Sequence, residues 1–558
     1  MHDAHDAQTT FPWRRALLWA AAAIAVVALV LGTAVTMLRP SEGSPEVRPT
    51  PTAPSADAGE RPADWSPHRP GIHITPGENW MNDPQKPFLL DGVWHYYYLY
   101  NADYPDGNGT AWYHATSTDL VHWQDEGVAI EKYANGLGDI WTGTAVVDEH
   151  GTAGFGAGAV IALVTQQVDG VQRQSLFFSR DGGYSFESYD GNPVMDNPGV
   201  ADWRDPRVFW DDASGRWVMA LAEHDRIGFY TSANLREWTY ASDFPTAGLG
   251  VLECPDLFPM SVNGDPDDVR WVLVAGANGA AEGMTTGTAY WVGQWDGERF
   301  TADGTGHQWL DHGPDYYAAV TWDDPRLDTG DRLASRYGIG WMNNWAYAGH
   351  LPGEDWHGGS DSLVRTISLR ANGAGATLHS TPAPELDALA GERQALADAQ
   401  VDAETAVEVG VPASGAYRLR LTASEAGGDT GELRVKVLTG DGTFATVGYD
   451  FAAGVAFVTR DADAVAEGMP EAYRDVRTAR VAPVDGRVEL DIVVDAASVE
   501  VFAGDGAVAL TMATFGSAGE RGLRIEGADG AVSVTDASLT PLRVGPVERT
   551  GRGQTGRG

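Results

Sequence analysis

Residues 80–85 read Trp-Met-Asn-Asp-Pro-Gln, and this hexapeptide is the first of five short clusters that decide the fold. Asp83 stands between an amide and a proline, and a tyrosine-rich run over residues 96–100 follows it. Taken alone, an Asn-Asp-Pro step is most often a turn. The same combination also suits a carboxylate that is held against a sugar, and what recurs later in the chain favours that second interpretation.

Polar or aromatic clusters recur through the first two thirds of the chain at nearly regular intervals. They centre on Asp83, Trp141, Asp205, Glu253 and Asp315, which are 58, 64, 48 and 62 residues apart. The segments between them are short strand-like runs separated by Gly, Asp and Asn, without a long helical period. This period in an all-β chain predicts four-stranded propeller blades, and five clusters predict five blades. Because the innermost strands of a propeller converge, we expect the clusters to surround one central pocket.

The predicted fold class is therefore all-β, with a five-bladed β-propeller over residues 65–380. From about residue 382 the composition shifts to Ala, Val, Gly, Thr and Asp, and tryptophan disappears after Trp356. Alternating strand patterns in this part predict a C-terminal β-sandwich over residues 381–545. Residues 385–399 could form a short linking helix, and the Gly- and Arg-rich tail 546–558 is predicted to be disordered.

The N-terminal 40 residues predict a membrane-targeting segment. Two arginines precede an uncharged run of 23 residues over 16–38. A membrane-spanning helix needs about 20 such residues, whereas the apolar core of a signal peptide has roughly 7–15. A signal anchor with its N-terminus inside is favoured, and a cleaved signal peptide is the alternative. Residues 41–64, rich in Pro and Ser, are predicted to form a disordered spacer to an exported, extracellular domain.

Composition restricts the class of partner. The formal net charge is −40, from 38 basic and 78 acidic residues, so nucleic acid is excluded because phosphate binding needs a basic surface. An acidic surface suits a neutral substrate, and 20 tryptophans supply rings that can stack on sugars. Cys254 is the single cysteine, so neither an intrachain disulfide nor a cysteine-based zinc site can form. No metal site and no cofactor is predicted.

Cleavage of a glycosidic bond requires two carboxyl groups at the anomeric centre. Asp83, Asp205 and Glu253 are the candidates, since each stands beside a proline-containing motif in a different predicted blade. Any one of them alone is more often a turn or surface acid. Their recurrence at the blade period predicts a catalytic pocket.

Three motifs, in the order in which they occur, resemble the signature motifs of glycoside hydrolase family 32, which contains invertases, inulinases and levanases. They are Trp80–Pro84, Arg204–Pro206 and Glu253–Asp256. The resemblance implies a retaining mechanism in which Asp83 attacks C2 of a fructosyl unit, Glu253 acts as general acid and then base, and Asp205 stabilises the transition state. It also implies a substrate-binding set with core packing as the alternative for its aromatic members: Asn82, Gln85, Trp112, Trp141, Thr142, Arg204, Asp315, Tyr316 and Trp341.

Departures from the common family pattern indicate the substrate. Many members continue the first motif with Asn-Gly, whereas this chain has Gln85 and Lys86, and it carries Leu99 where many have a polar residue. These features resemble the levan-acting branch and favour β-2,6-linked fructan. A levan fructotransferase that releases difructose anhydride, another fructan or sucrose β-fructosidase, and a non-catalytic fructan-binding surface protein remain as alternatives. The sequence does not separate hydrolysis from transfer, or exo from endo action.

Overall fold

The structure is a computed structural model, which describes residues 65–278, 286–351, 358–373, 375–426, 431–440, 442–461, 469–516, 519–545 and 548–549. The predicted targeting segment 1–40 and spacer 41–64 lie outside these residues. Within the part that is described, no helix is both long and apolar enough to cross a membrane.

Five antiparallel sheets form the first part of the chain, each with four strands in sequence order, and they confirm the predicted five-bladed propeller. Blade I contains β1 (Trp80–Leu90), β2 (Val93–Asn101), β3 (Ala111–Ser117) and β4 (Gln124–Ile130). Blade II contains β5 (Asp139–Asp148), β6 (Ala159–Val168), β7 (Val171–Ser179) and β8 (Glu187–Ser188). Blade III contains β9 (Trp203–Asp211), β10 (Arg216–Glu223), β11 (Arg226–Ser232) and β12 (Thr239–Pro245).

The last two blades complete the ring. Blade IV contains β13 (Leu252–Ser261), β14 (Val269–Ala277), β15 (Gly287–Trp295) and β16 (Phe300–Ala302), with β17 (Gln308–Trp309) paired to β15. Blade V contains β18 (Tyr317–Trp322), β19 (Arg336–Trp341), β20 (Arg365–Asn372) and β21 (Gly375–Pro382). The innermost strands β1, β5, β9, β13 and β18 contact one another in turn, and β18 contacts β1.

The propeller is held together by apolar clusters between neighbouring blades rather than by a single core. Trp94 of blade I meets Trp322 of blade V edge to face, with ring centroids 6.4 Å apart. Each sheet thus buries both of its faces, which explains why the central strands are nearly continuous runs of apolar and aromatic residues. Trp94, for example, is 1% exposed.

Two packed sheets form the second part of the chain, as the predicted β-sandwich requires. The first contains β22 (Gln394–Ala395), β23 (Ala399–Val401), β25 (Tyr417–Ala426), β30 (Arg487–Asp495), β31 (Ser498–Ala503), β32 (Val508–Ala513) and β34 (Ala531–Pro541). The second contains β24 (Val407–Gly410), β26 (Glu432–Thr439), β27 (Gly442–Asp450), β28 (Val455–Arg460), β29 (Arg477–Arg480) and β33 (Arg521–Ala528). The alternating residues predicted from the sequence fill the space between them.

Helical structure is confined to short segments in the described residues. They are α1 (Thr329–Ala334) and single 3₁₀ segments at Ala348–His350, Pro384–Leu389 and Glu471–Arg474. The linking helix predicted over 385–399 is wrong, because only a 3₁₀ segment forms and β22 and β23 then pair with β34. Part of the tail also differs from the predicted disorder, since β35 (Glu548–Arg549) pairs in parallel with β4.

Buried ion pairs join the propeller to the sandwich. We call this group the docking cluster: His73, Asp311, Arg365, Asp495 and Glu500. The two ring nitrogens of His73 lie 2.8 Å from Asp495 Oδ2 and 2.9 Å from Glu500 Oε1. The Arg365 guanidinium donates to Glu500 Oε2 at 2.6 Å and to Asp311 Oδ2 at 2.7 Å. All five side chains are buried, so ion pairs between opposite charges form part of the contact between the two domains.

Candidate active site

A cavity of about 480 Å³ lies at the beginning of the innermost strands. We call its three acids, Asp83, Asp205 and Glu253, the carboxylate cluster, and all three line the cavity. They come from β1, β9 and β13, so three blades that are distant in sequence meet here. Of the predicted binding residues, four also line it: Asn82, Trp141, Thr142 and Arg204.

Irregularities in the backbone of the innermost strands direct the side chains of the carboxylate cluster into the cavity. The ladder between each innermost strand and its neighbour shifts register near the cavity end. Asp83, Asp205 and Cys254 have φ angles of 30°, 64° and 46°. Non-glycine residues in this left-handed region are disfavoured by about 1–3 kcal/mol each and occur where a site must hold an unusual direction. The bulges therefore redirect side chains that regular alternation would place elsewhere.

Asp83 is half-buried, with its Oδ1 atom enclosed, and forms no ion pair with the described residues. Thr142 donates its hydroxyl to Asp83 Oδ2 at 2.8 Å, and Cys254 Sγ lies 3.8 Å from the same oxygen. Burial, together with the nearby charge of Glu253, raises the pKa of Asp83 to about 6. A carboxylate held this way is poorly solvated and poorly compensated, which are the properties of a reactive nucleophile.

Asp205 shares its surroundings with Cys254. The backbone N–H of Cys254 donates to Asp205 Oδ2 at 3.0 Å, and the thiol sulfur lies 3.6 Å from that oxygen. Burial raises the pKa of Asp205 in spite of nearby Arg204, and Glu253 and Asp83 raise it further. Burial and the same carboxylates raise the pKa of Cys254 well above its usual range, so the thiol stays protonated. It serves as a donor between two acids rather than as a nucleophile.

Glu253 is held from two sides. Arg204 donates to Glu253 Oε1 through Nε at 3.0 Å and Nη2 at 2.8 Å, and the Tyr317 hydroxyl donates to Oε2. The remaining Nη1 of Arg204 donates to Asp202 Oδ1 at 2.7 Å. Arg204 Nε is also 3.9 Å from Asp205 Oδ2, so one guanidinium serves several acids. These contacts fix the orientation of Glu253 within the cavity.

Gln85 and Trp112, which were predicted to contact the substrate, do not line the cavity. Gln85 is fully buried, donates to the Asp83 carbonyl at 2.8 Å and accepts from the Gly143 N–H at 2.8 Å. Its amide is thus used in holding β1 against β5. Trp112 is also fully buried, and its indole N–H donates to the Trp141 carbonyl at 3.0 Å. Both side chains thus hold the backbone of cavity-lining residues, Asp83 and Trp141, in place.

Asp315, Tyr316 and Trp341 also lie outside the cavity lining. Asp315 pairs with Arg460 of the sandwich. The guanidinium of Arg365 lies over the ring of Tyr316, 4.2 Å from its centroid. Trp341 is fully buried and supports the cavity-lining rings of Trp80 and Trp345. Of the two adjacent tyrosines, it is the hydroxyl of Tyr317 that contacts Glu253.

Comparison with known proteins agrees with this geometry. The model for the glycosyl hydrolases family 32 N-terminal domain matches residues 73–382, and that for the family 32 C-terminal domain matches 385–541. The chain belongs to glycosyl hydrolase family 32. The family 32 resemblance found in the sequence motifs is thereby confirmed, and it extends over both domains.

Two family 32 relatives carry the same name, levanbiose-producing levanase. The protein from Bacillus subtilis (strain 168) is 41% identical over 478 residues, which cover 85% of this chain and 90% of that protein. The protein from Geobacillus stearothermophilus is 48% identical over 330 residues, covering 59% and 82%. Among solved structures, exo-inulinase from Aspergillus awamori superposes with a TM-score of 0.76 at 28% identity, covering 86% of this chain and 99% of that one.

Several cavity residues of this family 32 member were missed by sequence reasoning. Asp202 could have been found, because it stands two positions before Arg204 and supplies a carboxylate within reach of that guanidinium. Tyr104 packs at a tilt against Trp80 with ring centroids 5.0 Å apart, and Trp345 is 48% exposed at the rim. Tyr104 belongs to no recognisable motif, and Trp345 ends the stretch Gly340–Trp345, which resembles the family, but Trp345 itself was not assigned to the pocket. Both residues lie in loops, and loop conformation has no periodic signal in the sequence.

Proposed function

We propose that this protein is a retaining glycoside hydrolase that cleaves β-2,6-linked fructan (levan). The observation that carries the proposal is the convergence of Asp83, Asp205 and Glu253, from three blades, on one cavity. A pair of carboxyl groups with different surroundings is what double displacement at a glycosidic carbon requires. Membership of family 32 supports the same chemistry.

In the proposed mechanism Asp83 is the nucleophile that attacks C2 of a fructosyl unit. Glu253 gives a proton to the leaving oxygen, and it later takes one from the water that releases the fructosyl group from Asp83. Asp205 accepts hydrogen bonds from the ring hydroxyls and stabilises the positive charge that develops on the sugar. Arg204 positions Glu253 and acts together with Asp205 at the sugar.

The raised pKa of Asp83 makes the proposed mechanism dependent on pH. A nucleophilic carboxylate must be ionised, so activity is expected above about pH 6 and should fall as Asp83 is protonated. Trp141 and Trp345 offer partly exposed rings at the cavity wall, where the apolar face of a sugar can stack. The substrate itself need carry no charge, which suits an acidic protein.

The names of two relatives favour levan as the substrate, since both are levanbiose-producing levanases and one is 41% identical over 85% of this chain. We therefore expect levanbiose as the main product. Gln85 and Lys86 are consistent with this choice, because they resemble the levan-acting branch of the family. Transfer with release of a difructose anhydride is the alternative outcome.

Purified protein incubated separately with levan, inulin and sucrose, followed by chromatography of the products, tests the proposal. Levanbiose or other linear products from levan, with slower release from inulin and sucrose, are expected. A cyclic disaccharide would show that the protein is a transferase instead. Preferential cleavage of inulin or sucrose would refute levan as the substrate. Retention of configuration can be read by NMR within the first minutes of reaction, and inversion would refute double displacement.

We also propose that the protein is exported. The uncharged run 16–38, preceded by two arginines, supports this, with a signal anchor favoured over a cleaved signal peptide. Fractionation of cells that express the C-terminally tagged full chain tests it. Protease-accessible protein of full length in the membrane fraction supports the anchor, and a shortened protein in the medium supports the signal peptide. Retention in the cytosol would refute export.

A further inference from the structure

A second set of charged side chains lies on and beside the innermost strands, and three of its members stand two or three residues beyond the carboxylate cluster. We call its cations the axial basic cluster: Lys86 on β1, Arg207 on β9 and Arg336 on β19. The carboxylates nearest to them are Asp256 on β13 and Asp323, which follows β18. None of these five residues lines the catalytic cavity, and the proposed mechanism uses none of them.

Arg207 reaches across the propeller axis. Its Nε donates to Asp256 Oδ1 at 2.7 Å and its Nη2 to Asp256 Oδ2 at 3.0 Å. Nη2 also donates to the Thr321 carbonyl of blade V at 2.7 Å, so the guanidinium spans from blade III past blade IV. The remaining nitrogen, Nη1, is buried and has no hydrogen-bond partner among the described residues. A buried N–H group without an acceptor is rare in folded proteins.

Arg336 lies near one of these two carboxylates, that of Asp323. Its Nε donates to Thr321 Oγ1 at 3.2 Å, and its Nη1 is 3.9 Å from Asp323 Oδ1. Asp323 is shared, because Arg332 Nε donates to its other oxygen at 2.6 Å. The guanidinium of Arg336 also lies over the ring of Phe258, 4.1 Å from its centroid. Asp256 and Asp323 are therefore already engaged by arginines.

Lys86 is left without a partner of opposite charge. Across the residues that the structure describes, no carboxylate lies within 4.0 Å of its ammonium and no hydrogen bond from it is formed. Burial, and the neighbouring charge of Arg207, lower the pKa of Lys86 to about 7. The side chain nonetheless keeps part of its surface accessible, although it stands on an innermost strand.

Three cations and two carboxylates leave this region with a positive excess, inside a protein whose net charge is −40. Arg207 Nη1 is a buried charged donor without an acceptor among the described residues, and a counter-ion beside it would remove that penalty. We propose that the propeller axis holds a small inorganic anion of the chloride class, bound by Lys86 Nζ and Arg207 Nη1. This site is independent of the proposed fructan chemistry, because the carboxylate cluster contributes no ligand to it.

Crystals of the protein grown at pH 6 and soaked in sodium bromide test the site directly. An anomalous bromide peak within about 3.3 Å of Lys86 Nζ and Arg207 Nη1 is expected. At this pH Lys86 is protonated, since its pKa is about 7. Absence of bromide at the axis, with water or nothing beside Lys86, would overturn the proposal.

Thermal unfolding in sodium chloride against sodium gluconate, at equal ionic strength and pH 6, supplies an independent measurement. Chloride should raise the Tm of the protein by about 2 °C or more over gluconate, because a ligand that binds only the folded state stabilises it. Lys86→Met should abolish this difference. Lys436→Met removes the same charge from the sandwich surface and should keep it. An equal chloride effect in Lys86→Met, or none in the unaltered protein, would contradict the anion site.

Discussion

The docking cluster is fully buried and the carboxylate cluster is partly buried, and the charges of their acids are compensated differently. In the docking cluster each acid meets a cation and also a backbone amide, as Asp495 does with His73 and with the N–H groups of Gly71 and Ile72. In the carboxylate cluster Arg204 donates to Glu253 and lies 3.9 Å from Asp205, whereas Asp83 forms no ion pair within the described residues and accepts from the Thr142 hydroxyl.

The acid and base strengths follow from this difference. Burial opposes every charge, but in the docking cluster the hydrogen bonds and opposite charges outweigh it. They raise the pKa of His73 to about 9 and lower those of Asp495 and Glu500 to about 2. In the carboxylate cluster burial prevails, and the pKa of Asp83 rises to about 6. Compensation stabilises the interface, whereas its absence leaves acids that can react.

Replacing Asp83 by a neutral residue should produce the largest loss of activity. Asp83→Asn removes the proposed nucleophile, so kcat/KM on levan should fall by about 10⁴-fold or more. The same change should raise stability at pH 7 by up to about 3 kcal/mol, because the buried charge is removed while the Thr142 hydroxyl can still donate. Asp91→Asn, in the exposed turn between β1 and β2, should change neither value. Undiminished levan cleavage by Asp83→Asn would refute the assignment.

Breaking the docking cluster should instead reduce stability. Glu500→Gln leaves Arg365 and His73 without a shared carboxylate, and removing one partner of a buried ion pair costs about 3–5 kcal/mol. Chemical denaturation at pH 6 measures the loss. Glu408→Gln, which breaks an exposed pair with Arg524, should cost no more than about 1 kcal/mol. Equal small losses for both variants would mean that the docking cluster is not a source of stability.

The docking cluster should also make stability depend on alkaline pH. The folded pKa of His73, about 9, exceeds its unfolded value of 6.5, so its contribution is complete below about pH 6.5 and is lost as pH rises through 9. The full contribution corresponds to about 3 kcal/mol. Unfolding free energy measured from pH 6 to 9.5 should therefore fall more steeply in the unaltered protein than in His73→Gln. Parallel curves would contradict the raised pKa.

The smallest loss of activity is expected when the hydrogen bond between Tyr317 and Glu253 is removed. Tyr317→Phe removes a hydrogen bond to a carboxylate, worth roughly 1.5–3 kcal/mol, so kcat/KM should fall about 10- to 100-fold. Tyr316→Phe is the matched control, because its buried hydroxyl has no partner among the described residues, and activity should be unchanged. A larger loss in Tyr316→Phe than in Tyr317→Phe would reverse the assignment made here.

Much of the site could be predicted because a propeller repeats. Asp83, Asp205 and Glu253 recur at the blade period beside proline-containing motifs, and a ring of inner strands must bring such positions together. Sequence reasoning did not identify Tyr317, because the regular alternation of side chains along a strand is interrupted there. A bulge after Tyr317, with Ala318 at a φ of 49°, decides which of two adjacent tyrosines reaches Glu253. No periodic pattern in the sequence marks that bulge.

The sequence by itself determined the all-β class, the number of blades, the three acids and the family, because these depend on periodicity and on local motifs. Only the tertiary structure decided how each charge is compensated. Gln85 holds two strands together, Arg204 serves several acids at once, and Lys86 meets no carboxylate in the described residues. The physical reason is that a side chain's partners come from other blades, and a buried charge responds to those partners rather than to its neighbours in sequence.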